Sequence, residues 1–300
     1  MEKNAPKANI YDYARKLKKE ITLMNMFDLK GEVAVVTGGG GLLGWQYVSI
    51  LLSAGASVAV LDKKFYPSEN LKDNLLKEMG YPYVYHVTDI ISKGSVDRCF
   101  TEIVGTLGTP TILINNAGAD SRPNASEKDN GPFEDVPEEA WRVFLDSHLT
   151  GAFLVSQAFI REYKKAFNKG DVRNGSIINI SSTYGLVSPD QDVYDFRRKN
   201  GGKYYKPVGY SVAKSGVFNF TRWLAEYAAP YGVRVNTLVP GGVLEKQDPE
   251  FIREYKKRTM LKRMASADDY NGAVLFLASH KASGYMTGSS IVVDGGWTAR

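Results

Sequence analysis

The chain alternates between two hydrophobic periods, and this restricts its fold more than any other feature. Seven short apolar runs read as strands: VAVVT 33–37, SVAVL 57–61, YVYHV 83–87, TILIN 111–115, SIINIS 176–181, VRVNTLV 233–239 and SIVVD 290–294. Most are near-continuous and β-branched, which suits a parallel sheet covered on both faces. Helical patterns lie between them, at about 43–54, 69–79, 92–106, 137–167, 208–229 and 267–279. Strand and helix alternating in this way predict βαβ units and an α/β fold, a doubly wound parallel sheet of about seven strands flanked by helices. No repeat or linker divides the 300 residues, so one domain over 26–300 is expected. Residues 1–25 carry Ile10, Ala14, Leu17 and Ile21 at helical spacing and read as an N-terminal helical extension. Two segments, 119–136 and 183–207, match no element and are read as inserted loops.

The stretch Thr37–Gly44, TGGGGLLG, closes the first strand and opens the first helix. Glycine loses more backbone freedom on folding than any other residue, so five here need a reason. In this context Gly38 permits a tight turn. Gly41 lets backbone approach a diphosphate, and Gly44 lets the helix pack close to the strand. The amides at the helix start, with Gly40 and Leu43 in the same loop, then face an anion. Eighteen residues past Gly44, Asp62 ends the second strand, where a carboxylate can accept hydrogen bonds from an adenosine ribose. It would repel a 2′-phosphate, which favours NAD over NADP. Lys63 and Lys64 act the other way and leave NADP possible. The bland alternative is a glycine-rich turn beside a surface aspartate.

Further motifs follow in order: Asp89-Ile90, NNAG 115–118, INISS 178–182, YSVAK 210–214, VNTLVPGG 235–242 and DGGW 294–297. Together with the entry FDLKGEVAVVTGG, this set resembles the short-chain dehydrogenase/reductase family over about residues 28–300. The resemblance implies a Rossmann-type domain that interconverts a secondary alcohol and a carbonyl with NAD(P). It implies that Asn116, Ala117 and Gly118 lie beside the cofactor and that Asp89 and Ile90 meet its adenine. Pro240, Gly241 and Val243 would hold its other end. Ser182 would orient the substrate oxygen, Tyr210 would exchange its proton, and Lys214 would hold the nicotinamide ribose. The family also implies a homo-oligomer, a dimer or tetramer built on the 137–167 and 208–229 helices and the C-terminal strand; a homotetramer is expected. Residues 243–262 would form a lid over the substrate.

Three departures stand out. The spacing of Gly38, Gly41 and Gly44 is closer to the family's longer, epimerase-like branch. His148 replaces the usual catalytic asparagine. Ser182 and Tyr210 are 28 positions apart, about twice the usual gap. An epimerase or dehydratase acting on a nucleotide sugar, or a non-catalytic scaffold, therefore stand as alternatives.

Tyr210 and Lys214 are i and i+4 and share a helical face. A free tyrosine ionises near ~10, and a base working near neutral pH needs that lowered by about 3 units, or about 4 kcal/mol. An ammonium roughly 4 Å away at an effective dielectric of about 20 supplies energy of that size. Two readings of His148 remain: it continues a proton relay, or it fills a helix kink and the relay water is lost. Tyr194 and Arg198 repeat the spacing but sit in a glycine- and charge-rich segment, so Tyr210 is preferred. Arg122, Arg197, Arg198, Lys199, Lys203 and Lys206 suggest a polar substrate bearing phosphate or carboxylate, such as a sugar derivative, against the alternative of a solvated or subunit-contacting loop.

Composition excludes other classes. The net charge of +5 is spread along the chain and gives no nucleic-acid footprint. The one cysteine, Cys99, falls in a helical apolar pattern, and the three histidines are scattered, so no metal site is expected. No signal-peptide core or apolar run of membrane-spanning length is present, so a cytoplasmic protein without membrane attachment is expected.

Overall fold

The computed structural model describes residues 23–64, 78, 80–120 and 130–299. Seven strands, β1 Val33–Thr37, β2 Ser57–Asp62, β3 Tyr83–Val87, β4 Ile112–Asn115, β5 Gly175–Ile180, β6 Val233–Pro240 and β7 Ser290–Val293, form one sheet. Its order is β3-β2-β1-β4-β5-β6-β7, and every neighbouring pair is parallel. The direction of winding reverses between β1 and β4, which leaves a crevice at the carboxyl ends of those strands.

Six principal helices cover the sheet: α1 Leu42–Ser53, α2 Lys93–Leu107, α3 Glu138–Lys169, α4 Val208–Ala228, α5 Pro249–Arg258 and α6 Asn271–Ala278. Successive strand residues point to opposite faces, so each strand feeds two cores. Val33, Val35, Leu61, Leu113, Ile177 and Val235 pack under α2, α3 and α4 against Phe100, Ile103, Phe159 and Leu224. Ala34, Val36, Val58, Val60, Ile114 and Ile178 pack under α1 and α6 against Val48, Leu51, Val274 and Leu277. Full burial of such side chains contributes about 1.5–3 kcal/mol each. Cys99 lies within the first core, and burial pushes its thiol up to about 11, which leaves it unreactive.

Helix α3 is 32 residues long and apolar enough by composition to cross a membrane, yet half of its most apolar window is buried inside the fold. It is a core helix, with a π turn over Asp146–Thr150. Such a turn re-aims side chains locally and marks functional positions. It carries His148 toward the crevice.

The expected strands agree with those observed to within about a residue at either end. The expected N-terminal helix lies outside the described residues except for a single turn over Leu23–Met26. The helix expected at 69–79 also falls outside them, apart from Glu78. The reading of 183–207 as an inserted loop needs correction. It contains helical turns at Thr183–Leu186, Gln191–Tyr194 and Asp195–Lys199. It buries Tyr184, Val193, Tyr194 and Tyr204 in a third core with Phe251, Tyr255, Met264 and Trp297. Those apolar residues follow neither a 2- nor a 3.6-residue period, so the pattern carries no helix or strand signal.

Candidate active site

The glycine loop is dictated by backbone contact. Gly38 has φ +62°, and a Cβ there would lie 2.9 Å from the Cα of Ala117. A Cβ on Gly44 would lie 2.0 Å from the Gly38 carbonyl oxygen. Only glycine allows the loop to fold this tightly between β1, β4 and α1. Helix α1 begins after Gly41 with no side-chain cap and no acidic residue in its first turn. Its positive end is thus left for an anion. The cradle that Cβ atoms would fill, the uncapped helix start and Asp62 at the end of β2 together fit a dinucleotide.

That crevice has a volume of about 820 Å³ and is lined by Gly38, Gly41, Leu43, Gly44, Asp62, Ile90, Asn116, Ala117 and Gly118. Two expected residues do other work. The Gly40 amide donates to Asp62 Oδ2 at 3.3 Å. Asp89 accepts from the Ile91 amide at 3.3 Å and lies 4.0 Å from Lys63 Nζ, while Ile90 lines the crevice. The NNAG segment divides its tasks. Asn115 donates to Ser156 Oγ and to Asn179 Oδ1, and Asn179 donates to Thr221, a polar chain across the sheet centre. Asn116 donates to the carbonyls of Thr37 and Gly38 at 3.0 and 3.1 Å and clamps the loop to β4.

A second cavity, of about 310 Å³, opens from the first. Leu42, Leu43, Asn116, Gly118, Ala119 and Asp120 line both. Its walls carry Ser182, Tyr210, Lys214, His148, Pro240, Gly241 and Val243, all from the sequence-derived set. Ser182 follows β5, while Tyr210 and Lys214 sit one turn apart on α4. Two contacts lock these elements: Ser181 Oγ donates to the Lys214 carbonyl at 2.7 Å, and a Cβ on Gly185 would meet that same carbonyl oxygen at 2.6 Å. The Ser182 hydroxyl is near enough to ease ionisation of the Tyr210 phenol.

The electrostatics differ from the simplest expectation. Lys214 Nζ donates to the Ile180 carbonyl at 2.9 Å and lies 5.9 Å from the Tyr210 ring centroid. Burial moves Lys214 from its usual 10.5 down to about 8; Asp120 opposes that shift and Lys206 adds to it. Burial first, and Asp120 second, hold the Tyr210 phenol well above its usual 10. The protein's own groups therefore keep Tyr210 as a proton donor at neutral pH, where one lysine was expected to make it a base.

His148 is buried, and its imidazole stands edge-on to Tyr210 at 5.5 Å between centroids. Burial, and next Lys214, push its ionisation well below 6.5, so it is neutral. Nε2 lies 2.8 Å from the Ala119 carbonyl, which can only accept, so Nε2 carries the proton. Nδ1 is an acceptor with no partner among the described residues. Ser147 Oγ accepts from the Ala119 amide at 3.0 Å. The π turn thus grips both backbone groups of Ala119 and places Asp120.

Asp120 is the residue that sequence reasoning missed, and Lys206, expected only among the cations for an anionic substrate, pairs with it. Lys206 Nζ bonds Asp120 Oδ1 at 3.0 Å and lies 4.2 Å from the Tyr210 ring centroid. Lys206 holds Asp120 below the usual carboxylate range. The available signal was spacing: Lys206, Tyr210 and Lys214 are i, i+4 and i+8. The arginines singled out for an anion go elsewhere. Arg198 bonds Asp195 and the carbonyls of Gln191 and Tyr204, and Arg197 stacks on Tyr204 at 4.4 Å. Arg122 lies outside the described residues. Tyr194, the decoy, is 2% exposed and forms part of the cavity wall.

The expected lid holds α5. Tyr255 Oη accepts the Gly242 amide at 2.6 Å, and its ring stacks on Trp297 at 4.4 Å between centroids. Phe251 and Tyr255 from α5, with Met264, wall the second cavity.

Comparison with known proteins agrees with this arrangement. A family model described as enoyl-(acyl carrier protein) reductase matches residues 41–298. Galactitol 2-dehydrogenase of Rhizobium johnstonii is 31% identical over 278 residues, covering 91% of this chain and 97% of its own. The crystal structure of a short-chain dehydrogenase from Leptospira borgpetersenii with bound NAD+ superposes with a TM-score of 0.76 at 31% identity, covering 99% of both chains. A gluconate 5-dehydrogenase from Burkholderia cenocepacia in complex with NADP and tartrate gives a TM-score of 0.78 at 26% identity, covering 93% of this chain and 100% of that one.

Proposed function

The chain belongs to the short-chain dehydrogenase/reductase family, and on that premise we propose that it interconverts a secondary alcohol and a carbonyl on a polyol, sugar or sugar acid. The observation that carries this reading is the joined pair of cavities, one fitted to a dinucleotide and one of about 310 Å³ holding Ser182, Tyr210 and Lys214. That volume is at the lower end of ligand pockets and suits a monosaccharide-sized molecule. It argues against a nucleotide sugar, which needs more room. The polar groups on its wall, Asp120, Lys206, Glu245 and Gln247 among them, match a substrate with several hydroxyls. The relatives named for galactitol and gluconate support the same class.

In this reading the amides at the start of α1 hold the diphosphate, and Asp62 holds the adenosine ribose and favours NAD. Bound nicotinamide supplies the hydride acceptor or donor. Ser182 hydrogen-bonds the substrate oxygen and sets its distance from Tyr210. Tyr210 gives its proton to that oxygen in reduction and takes it in oxidation. Lys214, fixed by the Ile180 carbonyl, contributes positive charge beneath the phenol. His148 is a positioning residue that holds Ala119 and Asp120, and its Nδ1 can accept one further hydrogen bond. A cytoplasmic homotetramer is part of the proposal. The assembly is supported by the exposed apolar surface on α3 and α4, with Phe153 49%, Trp223 64% and Tyr227 45% exposed.

The test is a panel of polyols, sugars and sugar acids with NAD+ and NADP+, followed by absorbance of the reduced nicotinamide. Turnover of at least one, lost by about 10²–10⁴-fold in Tyr210→Phe, is expected. Product formation with no net change in cofactor would instead point to an epimerase.

A further inference from the structure

We propose that Lys206, braced by Asp120, is a second cation on the catalytic tyrosine, a positioning residue that sets how readily the Tyr210 phenol ionises. The proposal rests on the role given to Tyr210 above. Its first support is distance. Lys206 Nζ lies 4.2 Å from the Tyr210 ring centroid, whereas Lys214 Nζ lies 5.9 Å away. A cation over the ring attracts the electrons of the phenol and favours the phenolate more strongly still.

Its second support is the way Lys206 is held. A lysine is normally a flexible surface residue, yet this side chain is only 8% exposed and bonded to Asp120 at 3.0 Å. Its backbone is clamped as well. The Lys206 amide donates to Gln191 Oε1 at 2.9 Å, and Gln191 Nε2 donates to the Lys206 carbonyl at 3.3 Å. The Tyr205 amide donates to the Asn130 carbonyl at 2.7 Å. Pro207 follows and holds Lys206 extended just ahead of α4. The inserted segment therefore builds a rigid mount for one ammonium group, and it aims that group at Tyr210.

Among the described residues, the charged and titratable groups facing the phenol come from several elements. Lys214 comes from its own helix, and Lys206 from the turn before it. Asp120 arrives from the exit of β4, neutral His148 from the π turn, and Ser182 from the exit of β5. Tyr184 comes from the insertion and Tyr255 from α5. Asp120 works against the phenolate, and Lys206, bonded to Asp120 at 3.0 Å, stands nearer the ring than Lys214 does. The dyad thus has two members of opposite effect, and they are separable by mutation.

The experiment places 3,5-difluorotyrosine, whose phenol is more acidic than that of tyrosine, at position 210. Its ¹⁹F resonance is followed against pH in the full chain. No substrate or turnover is needed, so failure of the substrate panel and failure of this proposal are distinct results. Lys206→Met removes the cation and exposes Asp120 to the phenol; the midpoint should rise by about one unit, a tenfold change in the ionisation constant. Lys206→Arg should restore it to within a few tenths. Asp120→Asn should lower it, and the double variant should fall between the two single ones. A Lys206→Met midpoint equal to that of the parent overturns the proposal. So do shifts of the same sign in both single variants, which indicate disturbed packing. If Lys206→Met does not fold, Asp120→Asn decides: a midpoint that stays put or rises overturns the proposal.

Discussion

Gly118 and His148 share one space. A Cβ built on Gly118 would lie 2.0 Å from both Cε1 and Nδ1 of the imidazole. The glycine of the NNAG segment is therefore required by the histidine that faces it. Gly118→Ala cannot be relieved by a small shift, since the imidazole is buried and bonded to the Ala119 carbonyl. We expect it to abolish activity and to destabilise the fold by about 1–3 kcal/mol, as overpacking does. Gly118→Ala combined with His148→Ala should recover most of that stability in urea unfolding. A double variant no more stable than Gly118→Ala would show that the clash is not the cause.

Lys214 carries a stability cost that can be read against pH. Its folded ionisation lies near 8, below the usual 10.5, because burial disfavours the charged form. Above 10.5 the lysine is neutral whether folded or unfolded, and no penalty exists. As pH falls toward 8 the unfolded chain takes up the proton first, and stability declines. Below 8 the penalty is complete, at roughly 3 kcal/mol. Lys214→Met should remove catalysis and yet unfold at higher urea concentration at pH 7. The gain should shrink as pH rises and disappear near the unfolded lysine value. A variant less stable than the parent at pH 7 would mean that the bond to Ile180 outweighs burial.

The parts of the molecule that follow a period were legible without coordinates. The seven strands and the helices on them obey simple spacings, and the β1–α1 glycines are forced by backbone contact at Gly38 and Gly44. Ser182, Tyr210 and Lys214 were legible because one strand exit and one helical turn place them. The pairing of Asp120 with Lys206 was not, since it spans 86 residues and no spacing within either segment reports it. The acidity expected of Tyr210 also ran the other way, because burial is a tertiary quantity that spacing does not report. Arg197 and Arg198 show the converse: cations in the right segment that are spent on holding the segment together.

Asp62 offers a prediction about the cofactor. Its Oδ2 accepts the Gly40 amide at 3.3 Å and its Oδ1 the Lys63 amide at 2.8 Å, so the carboxylate is held at the mouth of the larger crevice. Asp62→Asn keeps much of that geometry and removes the charge. Titration of reduced-cofactor fluorescence should show NADH binding weakened by about tenfold, near 1.4 kcal/mol. NADPH binding should strengthen, since the repulsion of a 2′-phosphate is gone and Lys63 stays. Equal losses for both cofactors would mean that Asp62 only shapes the turn.

Tyr255 ties the lid to the catalytic floor through one hydroxyl and one ring. The hydroxyl accepts the Gly242 amide at 2.6 Å, and the ring lies between Phe251 and Trp297 in the third core. Tyr255→Phe keeps the stacking and leaves a part-buried amide without its acceptor, at a cost of about 1–3 kcal/mol. Tyr255→Ala removes both, and loss of a packed aromatic costs about 3–5 kcal/mol. If the lid positions substrate, Tyr255→Phe should raise KM several-fold and change kcat little, because Tyr210 and Lys214 stand on α4 and are braced by β5. Steady-state kinetics on any accepted polyol would read this division. A fall in kcat at constant KM would place Tyr255 in the proton path instead, beside the phenol whose ionisation it already opposes.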